Sequence, residues 1–402
     1  MSYLCSNSSC HASSLNAYHG RTSCFYRVYV TSNNGSMQYT KQAIDFSDQL
    51  SLLKQRGLII DDEDKALRCL HSISYFRLTS YLVPMESDSD THAFRPNSHL
   101  HTAIALYNFD RKLRSLVFTS IQDIEVALRT RIIHYFSLAH GPFWFMRNDL
   151  FINESIHQTC INNIASEVNR SKEEFISEYR RNYTSPEFPP AWKTLEVVSF
   201  GTLSKLFCNF KNVKVKKQVA RDFNLPQYTY LESWIKCAVV LRNACAHHAR
   251  IWNKRFPTMP TMPQRLPESW VSTNSFRPNK LYHQLCYLAY MEQSIVPNSD
   301  FTEALVKLVK DNPDIQTRSM GFPLGNWQDE PLWRNQRIIG DRFEVNPQSW
   351  TQHLRSYANS NFWMPLLFAG YGDRYIGSLF RVDEPVPDDS LVPPQWFVLP
   401  VA

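Results

Sequence analysis

Apolar residues recur every three or four positions along most of this chain, the period of helices that bury one face. "AIDFSDQLSLLKQRG" carries Ile44, Leu50 and Leu53 at that spacing and ends at Gly57, which suits the left-handed position just past a helix. The acids of "IIDDEDK" suit a helix N-terminus, and "ALRCLHSISYFRLTSYLVP" follows as a helix stopped by Pro84. After a polar loop at 86–98, "LHTAIALYNFDRKLRSLVFTSIQDIEVALRTRIIHYFSLAHG" runs about 40 residues with no proline or glycine before Gly141. It predicts one long helix, or two in near continuity, as the spine of a bundle. Shorter helices are expected at 154–169 and 171–182, then one through "WKTLEVVSFGTLSKLFCNF" with a bend at Gly201. "VKKQVARDF", "YLESWIKCAVVLRNACAHHARIW", "KLYHQLCYLAYMEQSI" and "FTEALVKLVKD" complete an all-α bundle, with proline-marked loops at 186–190 and 257–267.

Two blocks fall outside this pattern. Residues 1–36 are rich in Ser, Asn, Tyr and Cys and have neither acidic residues nor an apolar period. They lack the apolar stretch of a secretory signal, and the biological start is expected at Met37. Residues 37–333 are expected to form the helical domain. Residues 334–402 mix proline, glycine and aromatics, with one helix expected at 348–359, and read as a small irregular mixed appendage of unknown role.

Composition narrows the class. A chain of 402 residues, 43% hydrophobic and 13% aromatic, can bury a large core and is not mostly disordered. Its 11 glycines, about 3% against a usual 7% or so, disfavour turn-rich β folds and glycine-built phosphate loops. The longest apolar run, "FWMPLLFAG", is about half of what spans a bilayer, so no membrane association is expected. Nine irregularly spaced cysteines, among them Cys69, Cys237, Cys245 and Cys286 inside helical patterns, read as reduced buried thiols. No metalloprotease, zinc-ribbon, serine-hydrolase or Walker pattern occurs, and the spacings of Cys5, Cys10, His19 and Cys24 match no zinc knuckle; no metal and no cofactor are expected. The net charge of +6 is unevenly spread: Lys205, Lys211, Lys214, Lys216, Lys217 and Arg221 occur with no acid among them. The run reads either as a solvated helix face or as a nucleic-acid backbone contact.

"LRNACAHHARIWN" (241–253) carries the densest candidate chemistry. Leu231, Trp234, Ala238, Leu241, Cys245 and Trp252 define a buried stripe on its helix. At about 100° per residue His248 falls toward that stripe, whereas His247 points away with Asn243 and Arg250 on one outward face. Arg242 lies about 140° from His247 around the helix, so the two converge only through distortion, a long side-chain swing, or a two-fold partner. An Arg and a His with no carboxylate cluster suit metal-independent RNA cleavage, in which the ribose 2′-OH attacks phosphorus, His shuttles protons and Arg holds the anionic oxygens. From spacing alone, a polar helix surface packed on a neighbour is the favoured reading. A second Arg-x-x-x-x-His, Arg129 and His134, has Thr130 where Asn would be expected and reads as a chance histidine on a basic helix. Glu125 and Arg129, four apart, are expected to form a helix-surface or near-site ion pair; Asp110, Arg111 and Arg114 are left open between such pairs and the site.

"RNACAH" resembles the Arg-Asn-x-x-x-His signature of HEPN ribonucleases. Five ordered blocks, "LLKQRGLIIDDEDKALRCLHSISYFRLTSYL", "LYNFDRKLRSLVFTSIQDIEVALRTRIIHYFSLAHGPFWF", "WKTLEVVSFGTLSKLF", "LRNACAHHARIWN" and "MGFPLGNWQDEPLW", resemble the Abi family of bacterial abortive-infection proteins of the AbiD and AbiF type over roughly residues 41–333. The resemblance implies a HEPN-type helical bundle, a bacterial cytoplasmic protein in phage defence or toxin-antitoxin biology, and RNA as partner. It assigns Arg242 and His247 as the catalytic pair and Asn243 as the polar residue after the Arg; His248, Arg250, Glu125 and Arg129 are the supporting residues expected around them. A homodimer and an RNA or protein antitoxin are the further partners expected. Where some HEPN toxins carry Tyr two residues after the His, this chain has Ala249. The alternative is a non-catalytic RNA-binding or phage-sensing adaptor on the same fold.

Overall fold

The computed structural model describes residues 42–263, 266, 270–271, 277–296 and 299–334, together with one antiparallel pair of two-residue strands, β1 (Leu366–Leu367) and β2 (Gly377–Ser378). The expectations for residues 1–36 and for a helix at 348–359 lie outside the described residues. The bundle is all-α, as the sequence period requires.

Its spine is a single unbroken helix, α4 (Leu100–His140), whose 41 residues span about 60 Å. Leu106, Phe109, Leu113, Val117, Ile121, Ile124, Leu128, Ile132 and Phe136 form its fully buried seam. Burying each such side chain stabilises the fold by about 1.5–3 kcal/mol. Against this seam pack α3 (Tyr75–Leu82), α8 (Phe200–Asn209), α9 (Val213–Arg221), α10 (Tyr228–Ala246), α11 (Leu281–Gln293) and α12 (Phe301–Lys310). Every residue of α11 from Leu281 to Glu292 is buried, which makes it the inner helix of the bundle. α5 (Glu154–Arg170) lies on α8, and α6 (Glu174–Asn182) on the short α7 (Ala191–Thr194).

Two expected helices are each two. The first is broken at Ser74, whose φ of 67° ends α2 (Glu63–Ile73) and whose hydroxyl accepts from the Arg77 N–H to cap α3. The second is broken over 195–199, not at Gly201, which sits in the first turn of α8. α1 (Phe46–Gln55) ends as expected, with Gly57 at φ 90°. The described cysteines are free, four of the six are buried, and burial pushes the Cys245 thiol up to about 12.

Candidate active site

α10 presents Leu231, Trp234, Ala238, Leu241 and Cys245 to the core, as its period dictates. The helix stops at Ala246, and there helical arithmetic ceases to hold. The His247 N–H donates to the Asn243 carbonyl, the His248 N–H to Cys245 and the Ala249 N–H to Ala244, with His248 at φ 55°. This is a Schellman closure with a histidine in the left-handed position usually held by glycine. His248 is therefore exposed, contrary to its expected place beside the core, because the turn rotates it off the helix wheel. Trp252 is buried, but on the chain beyond the helix. Arg250 likewise leaves the face it was expected to share with Asn243 and His247: it donates to the Ser80 carbonyl on α3.

The turn after α10 is clamped from two sides. Asp110, fully buried on α4, accepts the backbone N–H groups of Ile251 (3.2 Å) and Trp252 (2.6 Å) with Oδ1. Its Oδ2 accepts the Tyr81 hydroxyl (2.6 Å) and the Arg114 guanidinium. Burial pushes the Asp110 carboxyl upward, while these donors draw it back toward the ionised form. From α3, Arg77 Nη1 donates to the His248 carbonyl at 2.6 Å. Asp110 and Arg114, which the sequence left open between a surface pair and the site, are thus positioning residues, and Arg77 is a third that the sequence reading did not single out. The signal was present: Asp110 and Arg114 are i, i+4 partners whose neighbours Phe109, Leu113 and Val117 belong to the apolar seam.

Arg242 is about a third exposed and lies 3.7 Å (Nε) from Glu125 Oε2 on α4; its Nη1 donates to Asn243 Oδ1 at 3.4 Å. Glu125 also binds Arg129 Nη2 at 2.9 Å, so one half-buried carboxylate orients both arginines and the expected near-site pair is formed. Arg242 makes no other hydrogen bond or ion pair with the described residues. Arg129 is different: buried, it donates to the carbonyls of Leu195 and Val198 and holds the break before α8. With its fork so committed, it offers no phosphate site, and His134 remains an exposed histidine beside Tyr135. His247 is exposed, and its imidazole makes no hydrogen bond or ion pair with any described residue. The described residues show no contact between Arg242 and His247 within the chain.

The basic segment divides. Lys214, Lys217 and Arg221 are exposed at positions i, i+3 and i+7 of α9, with Lys205 and Lys211 exposed nearby in sequence. Lys211 donates to the Asp149 carbonyl at 2.9 Å. Lys216 is buried, contrary to its expected place on an RNA-binding face. It donates to the Cys208 carbonyl (2.9 Å), pairs with Glu232 (2.7 Å) and lies near the rings of Phe207 and Tyr228. Glu232 is on the second turn of α10, so the exposed α9 face lies toward the opposite end of that helix from His247, roughly 20 Å along its axis.

Residues 68–253 match the protein family described as Abi-like protein. The match runs from α2 to the turn held by Asp110 and includes Glu125, Arg129, Arg242 and His247. No curated protein and no solved structure gives a match. Among the described residues, no helix is long and apolar enough to cross a membrane.

Proposed function

We propose that the protein is a metal-independent endoribonuclease of the HEPN type, acting as a toxin or abortive-infection effector in the bacterial cytoplasm. The observation that carries this reading lies at one helix end: Arg242 is partly exposed and steered by Glu125, and His247 stands exposed with no side-chain partner among the described residues. A structural polar seam would satisfy both. Arg242 stabilises the phosphorane oxygens, and His247 moves a proton to or from the attacking or leaving oxygen. The Asn243 side chain, beside Arg242, donates to the same phosphate. Ribose 2′-OH attack leaves a 2′,3′-cyclic phosphate and a 5′-hydroxyl, with no metal required.

Because Arg242 and His247 make no contact within the chain, the site is completed by a second copy whose α10 end faces the first across a two-fold axis. Lys205, Lys214, Lys217 and Arg221 then track the RNA backbone away from the cleavage point. The match to the Abi-like family supports the abortive-infection role, and an RNA or protein antitoxin is the form of restraint such a toxin requires.

Induced expression in a bacterial host tests the reading. Wild type is expected to arrest growth, and Arg242→Ala and His247→Ala to grow as the uninduced culture does. If wild type is no more toxic than His247→Ala, the chain is instead a non-catalytic RNA-binding or phage-sensing adaptor, with Arg242 serving only as a phosphate clamp.

A further inference from the structure

At the far end of the spine helix, two histidines and a carboxylate converge. Asp61 follows the segment that pairs with the entry to α4: the Ile59 N–H donates to the Ser98 carbonyl, and the Leu100 N–H donates to Ile59, both at 2.9 Å. His99 is the residue before α4, and His101 lies in its first turn. His101 Nδ1 is 2.8 Å from Asp61 Oδ2 and His99 Nδ1 is 3.3 Å from Asp61 Oδ1, with the imidazole centroids 4.8 Å apart. One ligand atom from each residue can be chosen so that all lie within 4.8 Å of one another.

We infer that Asp61, His99 and His101 form a binding site for one divalent transition-metal ion of the zinc class. Donors about 2.0–2.1 Å from a tetrahedral ion lie about 3.3 Å apart, close to the two Asp61–His separations, and rotation of partly exposed side chains closes the third edge. Two neutral imidazoles with one carboxylate select zinc-like ions over magnesium or calcium, which favour oxygen ligands. The remaining position is open to water. A cation here opposes the partial positive charge of the α4 N-terminus, and the Asp61 carboxylate offsets it. Asp61 is free for the role, since Asp62 is the residue that caps α2. In the bound form each neutral imidazole presents its Nδ1 lone pair to the ion and carries its single ring proton on Nε2.

The ion would staple the segment ending at Asp61 to the first turn of the spine. It is separate from the proposed cleavage chemistry: His101 precedes Glu125 by 24 residues on one helix, about 36 Å.

The test is calorimetric titration of chelator-treated full-length protein with Zn2+, followed by the absorption spectrum of the Co2+ form. Wild type is expected to bind one ion per chain at this site, with affinity at least about tenfold weaker in both Asp61→Asn and His101→Gln. The cobalt form should show d–d absorption without thiolate charge transfer. Wild-type affinity in both variants, a thiolate band, or no zinc binding by wild type would overturn the assignment. Both substitutions fall on side chains outside the core, so circular dichroism unchanged from wild type should accompany the loss.

Discussion

Asp110 is one carboxylate that fixes the position of a whole segment. It receives two backbone amides from the turn after α10, a tyrosine hydroxyl from α3 and a guanidinium from its own helix. Removing it leaves Arg114 charged and buried without its counter-ion, the situation that costs most in a protein interior. Asp110→Ala is expected to lower stability by about 3–5 kcal/mol in urea denaturation, and Asp110→Leu combined with Arg114→Met recovers only the part due to the unpaired guanidinium, since the Ile251 and Trp252 amides still lack their acceptor. A cost below about 1 kcal/mol for the single change would mean that the network does not hold the turn. Lys216 teaches the complementary lesson. Lysine type alone placed it with its exposed neighbours, yet its register with Val219 and Ala220 sets it on the buried face of α9, where Glu232 and two aromatic rings receive it. The pattern held that information; the residue type argued against it.

At the scale of elements, α4, α5, α9, α11 and α12 were legible because their apolar period is long and ends in a glycine, an asparagine cap or a polar break. The ends that misled were those closed by unusual backbone. Ser74 at φ 67° and His248 at φ 55° each occupy conformations for which the sequence offered no glycine as a signal. The consequence at α10 is functional: termination at Ala246 frees His247 and His248 together and re-aims Arg250 at α3. His248→Gly relieves the left-handed strain and is expected to raise stability by about 0.5–1 kcal/mol in thermal or urea unfolding, with growth arrest retained. A loss of more than about 1 kcal/mol would show that the imidazole is packed against the core after all.

At the scale of the molecule, one helix of about 60 Å organises three regions with different chemistry. The Asp61, His99 and His101 cluster stands at its start, Asp110 anchors the α10 turn one-quarter of the way along, and Glu125 orients Arg242 beyond its midpoint. Arg242 and His247 were singled out as the cleavage pair by resemblance to the HEPN signature and not by spacing, whereas the helical class could be read from the apolar period. The metal-ligand cluster could not, because Asp61 and the histidines are some 40 residues apart and only the pairing of Ile59 with 98–100 brings them together. How Arg242 and His247 meet also lay beyond helical arithmetic, and among the described residues of one chain they do not; the two-fold partner we propose would bring them together. The central claim is that these two residues cleave RNA by 2′-OH attack. It is tested most directly by incubating purified protein with RNA in EDTA and identifying the product ends by mass spectrometry. Cyclic 2′,3′-phosphate and 5′-hydroxyl ends from wild type, absent with Arg242→Ala and His247→Ala, are the predicted result; cleavage that needs a metal ion, or that persists in both variants, would contradict it.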